Sequence, residues 1–166
     1  MNLNNYTIKA QETIQKAQQL AFNTGNPNME TNHLLKVLLA DADSSVAFLL
    51  KKNNVNISFV ESKMDEAIAN HPKTGRGEAA QNISRHLGSA LLQAHNTLQE
   101  LKDECVSTEH LLLGLLQIND DVSKTLKAAG LTEKGLITAI KDLRKGDTIS
   151  SQTQETQMNN LNKFAK

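Results

Sequence analysis

The chain has 166 residues, with 18 basic and 18 acidic side chains and no net charge; this suffices for one compact domain plus a tail and is too short for two independent enzymes. No run of Lys or Arg marks a segment for phosphate neutralisation, which argues against nucleic acid as a partner. The longest apolar stretches fall far short of a bilayer span, the start carries no basic, apolar leader, and the single Cys105 cannot close an internal disulfide. A cytoplasmic location with no membrane partner is expected.

Helical periodicity dominates from the start. Thr7 is placed to cap a helix from Ile8 to Asn23, whose stripe is Ile14, Ala17, Leu20 and Ala21. Thr31 is expected to cap a short, strongly apolar helix through His33, Leu34, Leu35, Leu38 and Leu39. A third helix spans Ser45 to Asn53 and ends at Asn54, a residue that tolerates the left-handed conformation. Asn56 caps a fourth, carrying Val60, Met64 and Ala67. The polar stretch from His71 to Glu78, with Pro72, Gly75 and Gly77, reads as a flexible connection.

The same pattern then returns. Ala17, Thr31, His33, Leu34, Leu35, Leu38 and Leu39 recur 77 positions later as Ala94, Thr108, His110, Leu111, Leu112, Leu115 and Leu116; with one residue lost, Val46, Leu50 and Lys51 recur 76 later as Val122, Leu126 and Lys127. Ser84 caps a helix from Arg85 to Leu101, Thr108 the next, a third runs from Asp121 to Ala129 before Gly130, and Thr132 caps a fourth with Leu136, Ile140 and Leu143. The predicted fold is all-α: two pseudo-symmetric four-helix repeats, residues 5–71 and 83–146, packed as one eight-helix domain over 1–146. Residues 147–157 are polar and read as a flexible linker, and 158–166 regain some apolar character as the expected start of a further, truncated module.

No catalytic constellation emerges. There is no Gly-x-x-x-x-Gly-Lys-Ser/Thr to cradle phosphates, so no cofactor and no enzymatic activity are expected of this chain. His33 and His110 repeat because the module repeats, and neither has an i+4 histidine or a cysteine pair beside it; a buried structural role is expected and no metal. Cys105, next to Val106, reads as a small half-buried hydrophobe rather than a nucleophile.

Thr31-Asn32-His33-Leu34-Leu35 and Thr108-Glu109-His110-Leu111-Leu112, each opening the second helix of a four-helix unit, resemble the double Clp N-terminal repeat of the Clp ATPases. Tyr6-Thr7-Ile8-Lys9-Ala10-Gln11-Glu12, Leu126-Lys127-Ala128-Ala129-Gly130 and the final Leu161-Asn162-Lys163-Phe164-Ala165-Lys166 are most similar to the ClpB branch, the bacterial protein disaggregases. The resemblance implies a non-catalytic, monomeric domain that binds unfolded or aggregated polypeptide and delivers it to a hexameric ATPase ring, with ATP and magnesium held in modules beyond this chain. An adaptor-docking domain of a ClpC or ClpA-type protease ATPase, whose partners are folded adaptor proteins, is the alternative.

By the same resemblance Thr7, Asp103 and Glu109 match positions implicated in substrate handling. Asp103 precedes Glu104-Cys105-Val106 in a loop with little evident structural duty. A groove for extended apolar peptide falls near Leu92, Gln93, Thr97 and His110. In related ClpC domains the acid after each capping threonine helps bind phosphorylated arginine; here Asn32 stands in the first repeat and only Glu109 keeps the carboxylate.

Overall fold

The structure, a computed structural model, describes residues 2–42, 44–73, 82–153 and 155. The first repeat contains α1 (Ile8–Asn23), the two-residue strand β1 (Asn28–Met29), α2 (Thr31–Ala40), α3 (Ser45–Lys52) and α4 (Ile57–Asn70); the second contains β2 (Asn82–Ile83), α5 (Arg85–Leu101), α6 (Thr108–Gln117), α7 (Asp121–Ala128) and α8 (Glu133–Arg144). Among the described residues the eight-helix, two-repeat architecture expected from the sequence is present. Most of the connection between the repeats and all of 158–166 lie outside the described residues.

The starts and stops follow local chemistry. Thr7, Ser44, Asn56, Ser84, Asp120 and Thr132 each accept, through a side-chain oxygen, from a backbone N–H in the first turn of the helix that follows. Asn54 and Gly130 take the left-handed conformation after α3 and α7, at φ 59° and 104°. The apolar helices α2 and α6 are a different case. Their N-caps are Glu30 and Ser107, not Thr31 and Thr108. The histidine three residues on completes the cap: Nδ1 of His33 accepts from the Glu30 N–H at 2.8 Å and Nδ1 of His110 from the Ser107 N–H at 2.8 Å. Histidine here takes the place that Glu or Gln holds in the usual reciprocal cap. The threonine hydroxyls are thereby free for other partners.

The repeats interlock by exchange. Tyr6, just before α1, bridges Val106, just before α6, and Met29, just before α2, pairs in parallel with Ile83, just before α5. Tyr6 and Ile83 are 77 apart, as are Met29 and Val106, so the two pairings are pseudo-symmetry mates. The N–H of Thr7 donates to the Val106 carbonyl at 2.9 Å, and that of Ser84 to the Met29 carbonyl at 3.0 Å. The consequence is positional: α1 of one repeat begins beside α6 of the other.

The core centres on α2 and α6, where Leu34, Leu35, Leu111, Leu112, Leu113, Leu115 and Leu116 are almost wholly inaccessible. Helix α6 approaches α5 so closely that a Cβ on Gly114 would lie 2.2 Å from the Ala90 carbonyl oxygen and 2.9 Å from the Ala94 nitrogen. The absent side chain, unfavourable for an isolated helix, is what permits that crossing.

Residues 147–153 and 155, expected as flexible linker, instead lie against the domain. Ile149 is buried, its N–H donating to Asp103 Oδ1 at 2.7 Å and its carbonyl accepting from the Glu104 N–H at 2.7 Å, and Gln152 accepts from the Ile8 N–H at 2.8 Å. Composition misled here because one apolar side chain and a few backbone hydrogen bonds hold this stretch, not an apolar stripe.

Candidate functional site

The exchange of segments brings Thr7, the α5–α6 loop, the start of α6 and the end of α8 together. Asp103 lies in the loop, Glu109 and His110 on the first turn of α6, and Arg144 closes α8. All are buried, with Asp103 at 7 %, Glu109 at 4 % and Arg144 at 6 % exposure. Arg144 faces both acids: Nε and Nη2 donate to Glu109 Oε1 at 2.9 and 2.6 Å, and Nη1 pairs with Asp103 Oδ2. A fork of fixed donors suits this double engagement.

The tautomer of His110 follows from its surroundings. Its Nδ1 accepts from a backbone N–H, which places the proton on Nε2, 2.8 Å from Asp103 Oδ2. That approach is close but not aligned as a hydrogen bond. Burial works to raise the Asp103 pKa, yet His110, the Arg144 guanidinium and the Ile149 N–H outweigh it and hold the carboxyl below its usual range. Burial likewise opposes the charge on Arg144, and Glu109 and Asp103 reverse the effect, raising its pKa.

The first repeat builds the same frame without carboxylates. Nε2 of His33 lies 2.9 Å from Asn26 Oδ1, and Asn32 Oδ1 lies 2.7 Å from His71 Nε2. Asn26 and Asn32 are the counterparts, 77 residues earlier, of Asp103 and Glu109. Burial, then the charge of His71, lowers the His33 pKa to about 4.

The threonines that open α2 and α6 reach outward to carboxylates. Thr31 Oγ1 donates to Asp120 Oδ2 at 2.7 Å, joining α2 to α7. Thr108 donates through both its hydroxyl and its N–H, the latter at 3.0 Å, to Glu155 Oε2, while the Thr7 hydroxyl, which also caps α1, donates to Glu155 Oε1 at 2.5 Å. Glu155 is 1 % exposed. The position matching Asp120 in the first repeat is Ser44, and a cavity of about 310 Å³ between α1, α2 and α3 is lined by Ser44, Thr108, Lys9 and Thr13.

Of the expected substrate-binding residues, then, Thr7, Asp103 and Glu109 are brought together, but inside the protein rather than on its surface. The groove residues separate. Leu92 is 62 % exposed and Gln93 half-buried, whereas Thr97 is buried with its hydroxyl donating to the Ala94 carbonyl at 2.6 Å, and His110 is enclosed. Five residues along α5 rotate a side chain by about 140°, so Leu92 and Thr97 cannot share a face. Leu92 lies one turn beyond Gly88, and a Cβ on Gly88 would touch the exposed Ile83 at 3.7 Å, so Ile83, Gly88 and Leu92 form an open apolar strip.

Sequence reasoning missed Arg144, Ser107, Asn26 and Glu155. Arg144 carried a signal: it falls at i+8 from Leu136 and i+4 from Ile140 on the buried stripe of α8, where the first repeat has Ile68. A charge on such a stripe calls for a buried counter-charge. Cys105 is half-buried, and burial followed by the nearby Glu104 and Asp103 charges raises its thiol pKa, away from nucleophilic character. Among the described residues no group of three His, Cys, Asp or Glu is placed to hold a metal ion, and no helix is long and apolar enough to cross a membrane.

Comparison with known proteins agrees with this frame. The Clp repeat (R) N-terminal domain family matches residues 5–129. The chain is 38% identical over 165 residues to chaperone protein ClpB of Porphyromonas gingivalis and 38% identical over 165 residues to that of Bacteroides thetaiotaomicron, covering 99% of this chain and 19% of each relative. It therefore spans about a fifth of the length of those relatives. In structure it is similar to the Hsp104 N-terminal domain from Candida albicans, with a TM-score of 0.77 at 22% identity over 91% of this chain and 99% of that one. It is also similar to a ClpV N-domain solved in complex with a VipB peptide, with a TM-score of 0.65 at 19% identity over 85% and 90% of the two chains. The chain belongs to the Clp repeat N-terminal domain family, the N-terminal domain of Clp ATPases.

Proposed function

We propose that this domain binds unfolded or aggregated polypeptide for a ClpB-type chaperone and passes it to the ATPase ring. The observation that carries the reading is the apolar strip of Ile83, Gly88 and Leu92 on and beside α5: an unfolded chain offers extended apolar segments, and exposed apolar surface recognises them without demanding a sequence. The peptide seated on the related ClpV N-domain supports peptide capture as a use of the fold. The 38% identity to ClpB chaperones favours this over adaptor docking in a protease complex. In this reading ATP, magnesium and hexamer contacts belong to modules outside the present chain.

Thr7, Asp103 and Glu109 serve this function by positioning, because their polar atoms are engaged within the protein. They hold α1, α6 and α8 in register, and α6 in turn sets α5. The test is fluorescence anisotropy with a labelled, permanently unfolded polypeptide. Leu92→Ser and Ile83→Ser are expected to weaken binding at least about tenfold with the melting temperature unchanged; undiminished binding by the double variant would overturn the assignment of this surface.

A further inference from the structure

We propose that the segment from Ile149 to Gln152, together with Glu155, is a latch that closes over the starts of α1 and α6 and holds Thr7 in its positioning contact. The geometry is that of a built contact. Glu155 is fully enclosed and accepts three hydrogen bonds from two residues, Thr7 and Thr108, that lie 148 and 47 positions away. Upstream, Gln152 accepts from the Ile8 N–H, Gln152 Nε2 donates to the Asn4 carbonyl at 2.7 Å, and Ile149 is bonded on both sides to the α5–α6 loop. The strap thus touches the first residues of α1, the first residue of α6 and Asp103, and it covers the Thr7 hydroxyl.

The contact is conditional because, among the described residues, no cation pairs with the buried carboxyl. Among the described residues the charge facing Glu155 from α6 is Glu109, of like sign, and Arg144 of α8 is held by Glu109 and Asp103. On the α1 side the cation one turn in, Lys9, pairs with Asp41 at 3.5 Å. Burial, then the Glu109 charge, pushes the Glu155 carboxyl up to about 7 from an ordinary 4.5, against the opposing pull of the threonine hydrogen bonds. The closed latch therefore binds a proton more tightly than the open one. Closure is favoured below 4.5 and is lost progressively as pH rises through about 7. Gln at this position keeps the shape of the protonated acid; Ala removes it.

The test is amide hydrogen exchange at Thr108, Ile8 and Glu104, whose N–H groups donate to Glu155, Gln152 and Ile149, with the Leu112 amide reporting the intact core. Protection in the parent protein, corrected for chemical exchange rate, is expected to fall about tenfold between pH 6 and pH 8. Glu155→Gln is expected to stay protected at both pH values and Glu155→Ala to be unprotected at both. Full protection in Glu155→Ala would overturn the latch, and an unchanged pH response in Glu155→Gln would overturn Glu155 as its switch. The effect of the latch on polypeptide binding rests on the function proposed above, whereas the latch itself does not. Affinity for an unfolded polypeptide, measured on the same three proteins, is expected to be lowest for Glu155→Ala, in which Thr7 loses its positioning partner. Binding by none overturns the partner reading and leaves the latch to be judged by exchange, while equal binding by all three overturns the coupling of latch to binding alone.

Discussion

Asp103 stands in the second repeat where Asn26 stands in the first, and each faces Nε2 of the histidine that caps the helix ahead of it, at 2.8 and 2.9 Å. The backbone frame is duplicated while its charge is not. The acid in the second repeat is matched by Arg144, whose first-repeat counterpart is the apolar Ile68, so charge and counter-charge are present in one repeat and absent together from the other.

This pairing makes Asp103 and Glu109 stability determinants, contrary to the loop role expected for Asp103. Asp103→Asn, which restores the neutral chemistry of Asn26, should cost about 1–3 kcal/mol. Arg144→Met should cost more, about 3–5 kcal/mol, because it leaves two buried carboxylates without their cation. Urea unfolding at pH 7 measures both, and a smaller loss for Arg144→Met than for Asp103→Asn would contradict the pairing.

The acid side of the stability profile follows from the same group. With its pKa depressed on folding, Asp103 contributes stability that is present above its ordinary value of 3.8 and is lost as pH falls through the folded value. The Asp103→Asn protein should lose that component, so its stability difference from the parent narrows with acidification. A difference that stays constant down to the onset of acid unfolding would argue against a charged Asp103.

His33 acts at higher pH. Its folded pKa of about 4 lies below the ordinary 6.5, so its contribution is present above 6.5 and declines as pH falls toward 4, by up to roughly 3 kcal/mol. Histidine NMR titration should show His33 neutral until the pH nears 4. A midpoint near 6.5 would mean that the ring is not enclosed as described.

Gly114→Ala separates helix propensity from packing. Propensity alone favours alanine by about 1 kcal/mol, whereas the 2.2 Å approach of a Cβ to the Ala90 carbonyl oxygen requires α5 and α6 to part. The variant should melt lower than the parent, and a raised melting temperature would show that the helices are not in such contact. Leu112→Ala, in the same helix, should cost about 2–5 kcal/mol by cavity formation.

Much of the fold was legible because its cues are local and occur twice. Asn54 and Gly130 ended helices as their conformational tolerance requires, and Leu34 with Leu111 marked the central pair. The caps of α2 and α6 were misread by one residue because histidine, rather than Glu or Gln, completes them. The site was less legible because it is made by exchange between repeats. No local pattern in Thr7 announces Val106 as its neighbour, and nothing in the polar run around Glu155 announces burial. Arg144 alone was recoverable, as a charge interrupting an apolar stripe.

The central claim is that an open apolar strip on a duplicated scaffold selects unfolded chains. It is tested most directly by NMR titration of the isotope-labelled domain with one client protein in denatured and native forms. The account predicts shifts centred on Ile83, Gly88 and Leu92 with the denatured form alone. Equal shifts with both forms, or none with either, would contradict it.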